Sequence, residues 1–106
     1  MEKFIKYDQG KPNIAILFDT PLALAEVARV MDYGAKKYNR KNWALVENKE
    51  QYESASLRHQ MSYHNGEYLD SESDLEHMAH SITSQLFLLE LRLREKQNEH
   101  TKTSKN

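Results

Sequence analysis

Apolar residues recur at helical spacing between residues 20 and 38. Thr20 and Pro21 predict the start of this helix, because threonine suits the cap position and the missing N–H of proline costs nothing in a first turn. At about 100° per residue, the apolar side chains of the segment fall into one broad sector. The pattern therefore predicts a first helix that ends near Tyr38. Its apolar sector contains Leu24, Val27, Ala28, Met31, Ala35 and Tyr38.

Two later segments also have helical character. The second helix is predicted to begin near Asn48 and to end at Asn65 and Gly66, where glycine supplies the left-handed conformation that closes many helices. The third helix is predicted to begin around Ser73 and to continue to about Lys96. The chain is therefore expected to be all-α, a small helical bundle with about three main helices.

The remaining segments lack this periodicity. Residues 1–19 look irregular, with a short strand-like or extended piece at 13–18. Residues 39–48 form a loop that is long for a compact helical domain, which suits a functional or loosely ordered segment. We expect one domain at 1–96 and a polar, disordered tail at 97–106.

The third predicted helix is apolar on two opposed sides. One stripe contains Leu75, Met78, Ala79, Ile82, Leu86, Leu89 and Leu93, and the opposite stripe contains Phe87, Leu88 and Leu91. Three helices in a chain of 106 residues have difficulty covering both sides of one of their own number. The pattern therefore predicts a homo-oligomer, a dimer or a tetramer, in which a second subunit completes the bundle.

The composition narrows the range of partners. The formal net charge is −1, so no overall field draws the chain to long nucleic acid or anionic lipid. The absence of cysteine excludes disulfides and thiolate metal sites, and it fits a reducing compartment. The N-terminus has no apolar signal region, and no apolar run approaches the ~18 residues of a membrane span. We therefore expect a cytoplasmic protein without a membrane partner.

Polar residues continue the second stripe toward the start of the third helix, at His77, His80 and Ser84. A covered face with two histidines three residues apart permits two readings. The histidines are either structural, with hydrogen bonds to carbonyl or carboxylate groups, or they point at a shared ligand such as a metal ion.

Several acidic residues provide further metal-ligand candidates. Glu26 lies among apolar positions of the first helix and needs a partner, and Glu72 can reach a neighbouring helix. Asp70 and Glu76 are interpreted as solvating a helix end, and the role of Asp74 is left undecided. An oxygen-rich ligand set suits Mg²⁺ or Mn²⁺, whereas a set with two histidines suits Mn²⁺ or Zn²⁺.

A basic segment at 36–43 combines cations with aromatic rings, Tyr38 and Trp43. Cations bind phosphate groups and flat rings stack on bases, so this combination suits a small polyanion such as a nucleotide. The candidate phosphate-binding cations of the chain are Lys11, Lys36, Lys37, Arg40, Lys41 and Arg58.

Six segments in a fixed order resemble the small dATP/dGTP diphosphohydrolases of phages, relatives of the all-α MazG-like nucleotide pyrophosphatases. They are GKP at 10–12, LAEVARVMDYGAKKY at 24–38, NW at 42–43, LRH at 57–59, DSESDLEHMAH at 70–80 and FLLEL at 87–91. The chain departs from the family pattern at Asp74, where glycine is usual, and at Ser84, where asparagine is usual. The ExxE and ExxD signature of the wider superfamily is absent, because Arg29 follows Glu26 at the third position.

The resemblance implies an oligomeric all-α protein that hydrolyses deoxynucleoside triphosphates to monophosphate and pyrophosphate with Mg²⁺ or Mn²⁺. It implies Glu26 and Glu72 as catalytic metal ligands, with His77 and His80 as further ligands or their supporting partners. It also implies that the phosphates and the base are bound by a set of substrate-binding residues. We expect this set to be Lys11, Lys37, Tyr38, Trp43, Arg58 and His59.

The leading hypothesis is a phage-type, metal-dependent pyrophosphohydrolase of deoxynucleoside triphosphates, with purines as the preferred bases. One rival is a protein that binds nucleotides or nucleotide signals without turnover, for example as a phage counter-defence sponge. Another is a helical module that serves only in oligomerisation.

Overall fold

The computed structural model describes residues 2–6 and 9–104, with side-chain surroundings given up to residue 100. Two short 3₁₀ helices, Ile14–Asp19 and Asn42–Leu45, flank the first long helix. The long helices are α1 (Pro21–Tyr38), α2 (Glu50–His64) and α3 (His77–Ser104). The predicted all-α class with three main helices is confirmed. Within the described ranges, β-pairing is limited to an isolated bridge between Leu69 and Glu76.

The entry into α1 differs in detail from the prediction. Residues 14–19 form a 3₁₀ helix, so the extended piece expected at 13–18 is wrong. Pro21 occupies the first turn of α1 as predicted. The hydroxyl of Thr20 does not cap α1 but donates back to the carbonyl of Leu17 at 3.1 Å. The helix start therefore follows from proline and not from a side-chain cap.

The third helix begins later than its sequence pattern predicts. The chain between α2 and α3 closes a tight loop, in which the Asp70 N–H donates to the Leu75 carbonyl at 2.8 Å. The His77 N–H donates to the Tyr68 carbonyl at 2.8 Å and starts the helix there. Ser73 therefore lies in the loop and not at the helix start. At its other end α3 continues to Ser104, past the end predicted near Lys96.

A small and mostly polar core joins α2 to α3. Ser56 is fully buried, and its hydroxyl lies 2.8 Å from the hydroxyl of Ser81. Gln60 and Gln85 donate side-chain hydrogen bonds to Ser56 at 3.0 Å and 3.2 Å. These bonds satisfy hydroxyl groups that burial would otherwise destabilise. The buried apolar residues among those described are Val27, Val30 and Ala79.

The two apolar stripes of α3 differ in how much of their surface the chain itself covers. The short stripe packs within the chain, because Phe87, Leu88 and Leu91 are half-buried. Most of the long stripe faces outward, and its members keep between 43% and 56% of their surface exposed. We call these residues the outer stripe of α3. They are Met78, Ile82, Leu86, Leu89 and Leu93.

The chain is also extended for its length. Its radius of gyration is 18.1 Å, whereas a compact domain of this length has a radius of about 13 Å. The extended shape agrees with the polar interior and the exposed outer stripe, because the chain has little apolar core of its own.

Candidate functional site

The loop before α3 places a carboxylate against the helices. Asp70 is partly buried, and its Oδ2 accepts hydrogen bonds from the Ser73 N–H at 2.9 Å and from the Ser73 hydroxyl at 2.8 Å. Burial opposes ionisation of Asp70, but these hydrogen bonds outweigh it and lower the pKa of the carboxyl group. Asp74 closes the loop with a left-handed backbone at φ 60°, a conformation that glycine adopts without strain. This explains why the resembling family usually has glycine at that position.

Three histidines meet beside this carboxylate. His59 comes from α2, whereas His77 and His80 come from the first turn of α3. The Nδ1 atoms of His59 and His77 lie 2.7 Å apart, and the rings of His59 and His80 stack with centroids 4.5 Å apart. His77 is 4% exposed, which confirms the prediction that the histidine face of α3 is covered.

The hydrogen-bond network assigns the tautomer of His80. The Ser73 hydroxyl donates its single proton to Asp70, so the contact of 2.7 Å between Ser73 Oγ and His80 Nε2 requires the imidazole to donate. Burial lowers the pKa of His80, and burial together with the neighbouring His80 and His77 lowers the pKa of His59. Both imidazoles therefore favour the neutral form at neutral pH.

His59, Asp70 and His77 form a group that could hold a metal ion. Each residue offers one ligand atom, and these atoms lie within 4.8 Å of one another. The Nε2 atom of His77 is buried without a hydrogen-bond partner, and the Glu67 carboxylate 3.5 Å away lies outside hydrogen-bond geometry. Two imidazoles and one carboxylate are a ligand set that divalent transition metals accept. We call these three residues the His–Asp cluster.

A large cleft opens next to this cluster. It encloses about 740 Å³, which is within the range of pockets that hold small ligands. His59 and His80 line it, and His59 therefore belongs both to the cleft and to the His–Asp cluster. Its charged lining residues include four cations and one acid. They are Lys37, Arg40, Lys41, Arg94 and Asp32.

Lys37 is held at the cleft by a residue from the loop. Its ammonium group donates to Glu72 Oε1 at 2.7 Å, and the Tyr33 hydroxyl donates to the same oxygen at 3.1 Å. The hydrogen bond from Lys37, with a smaller effect from Tyr33, lowers the pKa of Glu72, and the bond to Glu72 raises the pKa of Lys37. The Lys37 ammonium also lies 5.2 Å from the centre of the Tyr38 ring.

Trp43 lines the cleft and contacts two side chains of α3. One face stacks on Phe87 with ring centroids 4.5 Å apart and an interplanar angle of 3°. The guanidinium of Arg94 lies over the Trp43 ring, 5.1 Å from its centre. The indole therefore packs the loop at 39–48 onto α3, and the stacking of Trp43 on a base stays a prediction.

A family model described as dATP/dGTP diphosphohydrolase, N-terminal, matches residues 2–101. The chain belongs to this family. It is also 34% identical over 84 residues to a protein of Salmonella phage PMBT28 named dATP/dGTP diphosphohydrolase. That match covers 79% of this chain and 28% of the phage protein, so the chain spans less than a third of its relative. No solved structure matches the chain.

In this family member, the predicted site residues fall into separate groups. His77, His80 and His59 gather at the His–Asp cluster, and Lys37, Tyr38 and Trp43 line the cleft with His59 and His80. Arg58 lies instead at a second, smaller cleft, and Lys11 is exposed and does not line the large cleft.

The two predicted catalytic glutamates lie outside the His–Asp cluster. Glu26 forms an ion pair with Arg29 one turn along α1, which supplies the partner that the sequence pattern required. Glu72 binds Lys37 and Tyr33 and keeps 64% of its side chain exposed. Their roles in catalysis stay predictions.

Asp70 and Ser73 are the residues that the sequence analysis missed. The interpretation of Asp70 as solvating a helix end assumed a helix that begins at Ser73. The structure keeps both residues in a loop whose backbone hydrogen bonds turn the carboxylate inward. The glycine that is usual in the family at position 74 was a signal for this loop. Glycine there indicates a left-handed backbone, and a left-handed residue interrupts a helix.

In the described part of the chain, no helix has both the length and the apolar character needed to cross a bilayer.

Proposed function

We propose that the chain hydrolyses deoxynucleoside triphosphates, preferably dATP and dGTP, to monophosphate and pyrophosphate with a divalent metal ion, Mg²⁺ or Mn²⁺. The purine preference follows the name of the phage relative. In this proposal the protein acts in the cytoplasm, and in that of a host cell if the gene belongs to a phage.

The observation that carries the proposal is the cationic cleft that borders the His–Asp cluster. Lys37, Arg40, Lys41 and Arg94 outnumber Asp32 along its lining, which favours a polyanionic ligand. His59 belongs to both the cleft and the cluster. A triphosphate bound to these cations would therefore have one end next to the cluster.

The side chains of the cleft have separate tasks in this reaction. Glu72 fixes the position of the Lys37 ammonium group. The ammonium group can then stabilise negative charge on the phosphate oxygens. His80 is a neutral imidazole that lines the cleft, and it is suited to accept a proton from water. A divalent ion held by the His–Asp cluster would supply further positive charge at the phosphates and would lower the pKa of a coordinated water.

Incubation with each deoxynucleoside triphosphate tests the proposal. The purified chain, supplied with Mg²⁺ or Mn²⁺, should release pyrophosphate and the monophosphate, with dATP and dGTP turned over fastest. Release of single phosphate, or no product from any nucleotide, would refute the proposed reaction. Binding without product would favour the nucleotide-binding rival.

Lys37 and its neighbour Lys36 provide a matched pair of variants. Lys37→Met should raise KM for the triphosphate at least about tenfold, because a cation at a phosphate is lost. Lys36 pairs with Asp32 at 2.9 Å and does not itself line the cleft, so Lys36→Met should change KM much less than Lys37→Met does. Equal effects of the two variants would remove Lys37 from the substrate site.

We also propose that the protein functions as a homo-oligomer, a dimer or a tetramer. The members of the outer stripe of α3 follow one another at spacings of four or three residues, the spacing of helices that pair along a seam. A second copy of the same helix is the simplest symmetric cover for such a stripe. Light scattering on the purified chain measures the mass, and a monomer at high concentration would contradict this proposal.

A further inference from the structure

We propose that His59, Asp70 and His77 form a metal centre that selects first-row transition metals such as Mn²⁺ and Zn²⁺ over Mg²⁺. The centre replaces the glutamate-based ligand set that the resemblance implies. Binding of the ion stands on the geometry of the cluster, and only the catalytic use of the ion rests on the proposed function.

The first argument is convergence from three separate elements. His59 comes from the middle of α2, Asp70 from the loop and His77 from the first residue of α3. The loop fixes Asp70 through Ser73, and the backbone hydrogen bond to Tyr68 fixes His77. Ligand atoms within 4.8 Å of one another are near enough to share one ion. The site is therefore built by the fold and not by flexible surface side chains.

A purely structural pair of histidines satisfies His77 in only one of its two tautomers. If His59 and His77 share a proton between their Nδ1 atoms, one imidazole donates and the other accepts. Where His77 donates, its Nε2 is a buried acceptor beside the Glu67 carboxylate, which has no proton to give. Where His59 donates, His77 Nε2 carries a proton, and a small adjustment of Glu67 accepts it. Metal binding itself therefore separates the two cases, and the convergence of the three ligand residues carries the proposal.

A metal ion accounts for both nitrogens of His77. Histidines that bind a metal through one nitrogen usually donate the other N–H to a carboxylate. Glu67 Oε2 lies 3.5 Å from His77 Nε2, so a small side-chain adjustment makes that hydrogen bond. The two Nδ1 atoms then face the ion together, and His77 Nε2 has its partner.

The surroundings of Asp70 suit the same role. His80 donates to Ser73, and Ser73 donates twice to Asp70 Oδ2. These bonds hold the carboxylate in its ionised form, which a metal ligand requires. Ser73 and His80 are thus positioning residues, because they act on the ion through Asp70.

The ligand types determine which ions bind. Mg²⁺ prefers oxygen ligands and gives up its water reluctantly, whereas imidazole suits Mn²⁺ and, with higher affinity, Zn²⁺. Two imidazoles and one carboxylate also leave coordination positions for a substrate or for water. The cluster therefore predicts the affinity order Zn²⁺, then Mn²⁺, then Mg²⁺.

Calorimetric titration of the metal-free full chain tests the centre. One Zn²⁺ should bind per chain, Mn²⁺ should bind more weakly, and Mg²⁺ should bind at least about 100-fold more weakly than Zn²⁺. His59→Ala, Asp70→Asn and His77→Ala should each lower the Zn²⁺ affinity at least about 100-fold. Ser73→Ala should lower it about tenfold, as expected for a positioning residue. Circular dichroism establishes that each variant is folded.

His64→Ala is the matched control, because it removes an exposed histidine from the end of the same helix as His59. It should bind Zn²⁺ like the unmodified chain. The centre is refuted if folded His59→Ala and His77→Ala proteins bind Zn²⁺ with unchanged affinity, or if Mg²⁺ binds as tightly as Zn²⁺. Zn²⁺ binding without nucleotide hydrolysis would support the centre and refute the proposed reaction. Hydrolysis that survives all three ligand variants would support the reaction and refute the catalytic use of the ion, whereas the Zn²⁺ affinities of the same variants decide whether the centre exists.

Discussion

Replacing Leu86 by alanine shows whether the outer stripe of α3 is an interface between copies of this chain. Leu86 lies in the middle of that stripe, with Ile82 and Leu89 on either side. It is 44% exposed, so the single chain already covers about half of the side chain. The substitution removes apolar surface from the outer side without disturbing the polar contacts between α2 and α3.

The expected effect follows from the exposed fraction. Complete burial of a leucine side chain stabilises by roughly 1.5–3 kcal/mol, so covering the exposed part of Leu86 contributes about 1 kcal/mol. A two-fold interface contains the residue twice, and alanine then removes about 2 kcal/mol, or about 30-fold in the dissociation constant. The loss within a single chain is smaller, because the outer part of the side chain contacts solvent there.

Sedimentation equilibrium measures the dissociation constant of both proteins across a range of concentrations. Leu45→Ala is the matched control, because Leu45 is 75% exposed on the second 3₁₀ helix and lies outside the stripe. The Leu86→Ala protein should dissociate at concentrations about 30-fold higher than the unmodified chain, and the control should not shift. An unchanged dissociation constant for Leu86→Ala would exclude the outer stripe from the interface.

Two further predictions concern the loop and the histidines. Asp74→Gly should raise the free energy of unfolding by up to about 1 kcal/mol, because it relieves a left-handed backbone, and Asp74→Val should lower it by about 1 kcal/mol or more. Thermal unfolding measures both variants, and equal stability of the two would argue against strain at this residue. Because the pKa of His59 and of His80 is lowered from 6.5, the unfolded chain binds protons more readily, and stability should fall as the pH drops below about 6.5. The urea midpoint of the metal-free protein should therefore fall as the pH drops from about 7.5 to about 5.5. The fall should be less steep for His59→Gln than for the control His64→Gln. A midpoint that rises over this range would contradict the direction of the pKa shifts.

The sequence predicts a helix end well where a single residue at that end determines it. Pro21 fixes the start of α1, and Gly66 has a backbone φ of 93° just after the end of α2. The start of α3 depends instead on hydrogen bonds between residues on both sides of a loop, such as the one from His77 N–H to the Tyr68 carbonyl. A sequence pattern contains no information on such a contact, so Ser73 resembles a helix cap and in fact belongs to the loop.

Periodicity identifies the faces of a helix without showing which one is covered. The stripe that continues into His77 and Ser84 is buried as predicted, at 4% and 7% exposure. The inner face of α3 nevertheless packs through serine hydroxyl groups, with Ser81 against Ser56, while the more apolar stripe faces outward. Hydrophobicity alone does not show which face the chain itself covers, because a hydrogen-bonded polar contact can be buried at little cost. The long stripe is then available to another chain.

The loop at 70–76 connects the fold to the proposed metal centre. A helix that began at Ser73 would place Asp70 outside its first turn, with the carboxylate near exposed N–H groups. The left-handed backbone at Asp74 prevents that start, and Ser73 then turns its N–H and hydroxyl to Asp70. The same backbone turn that delays α3 therefore directs the carboxylate toward His59 and His77. A residue that strains this turn should weaken metal binding as well as stability, and Asp74→Val should show both losses while Asp74→Gly shows neither.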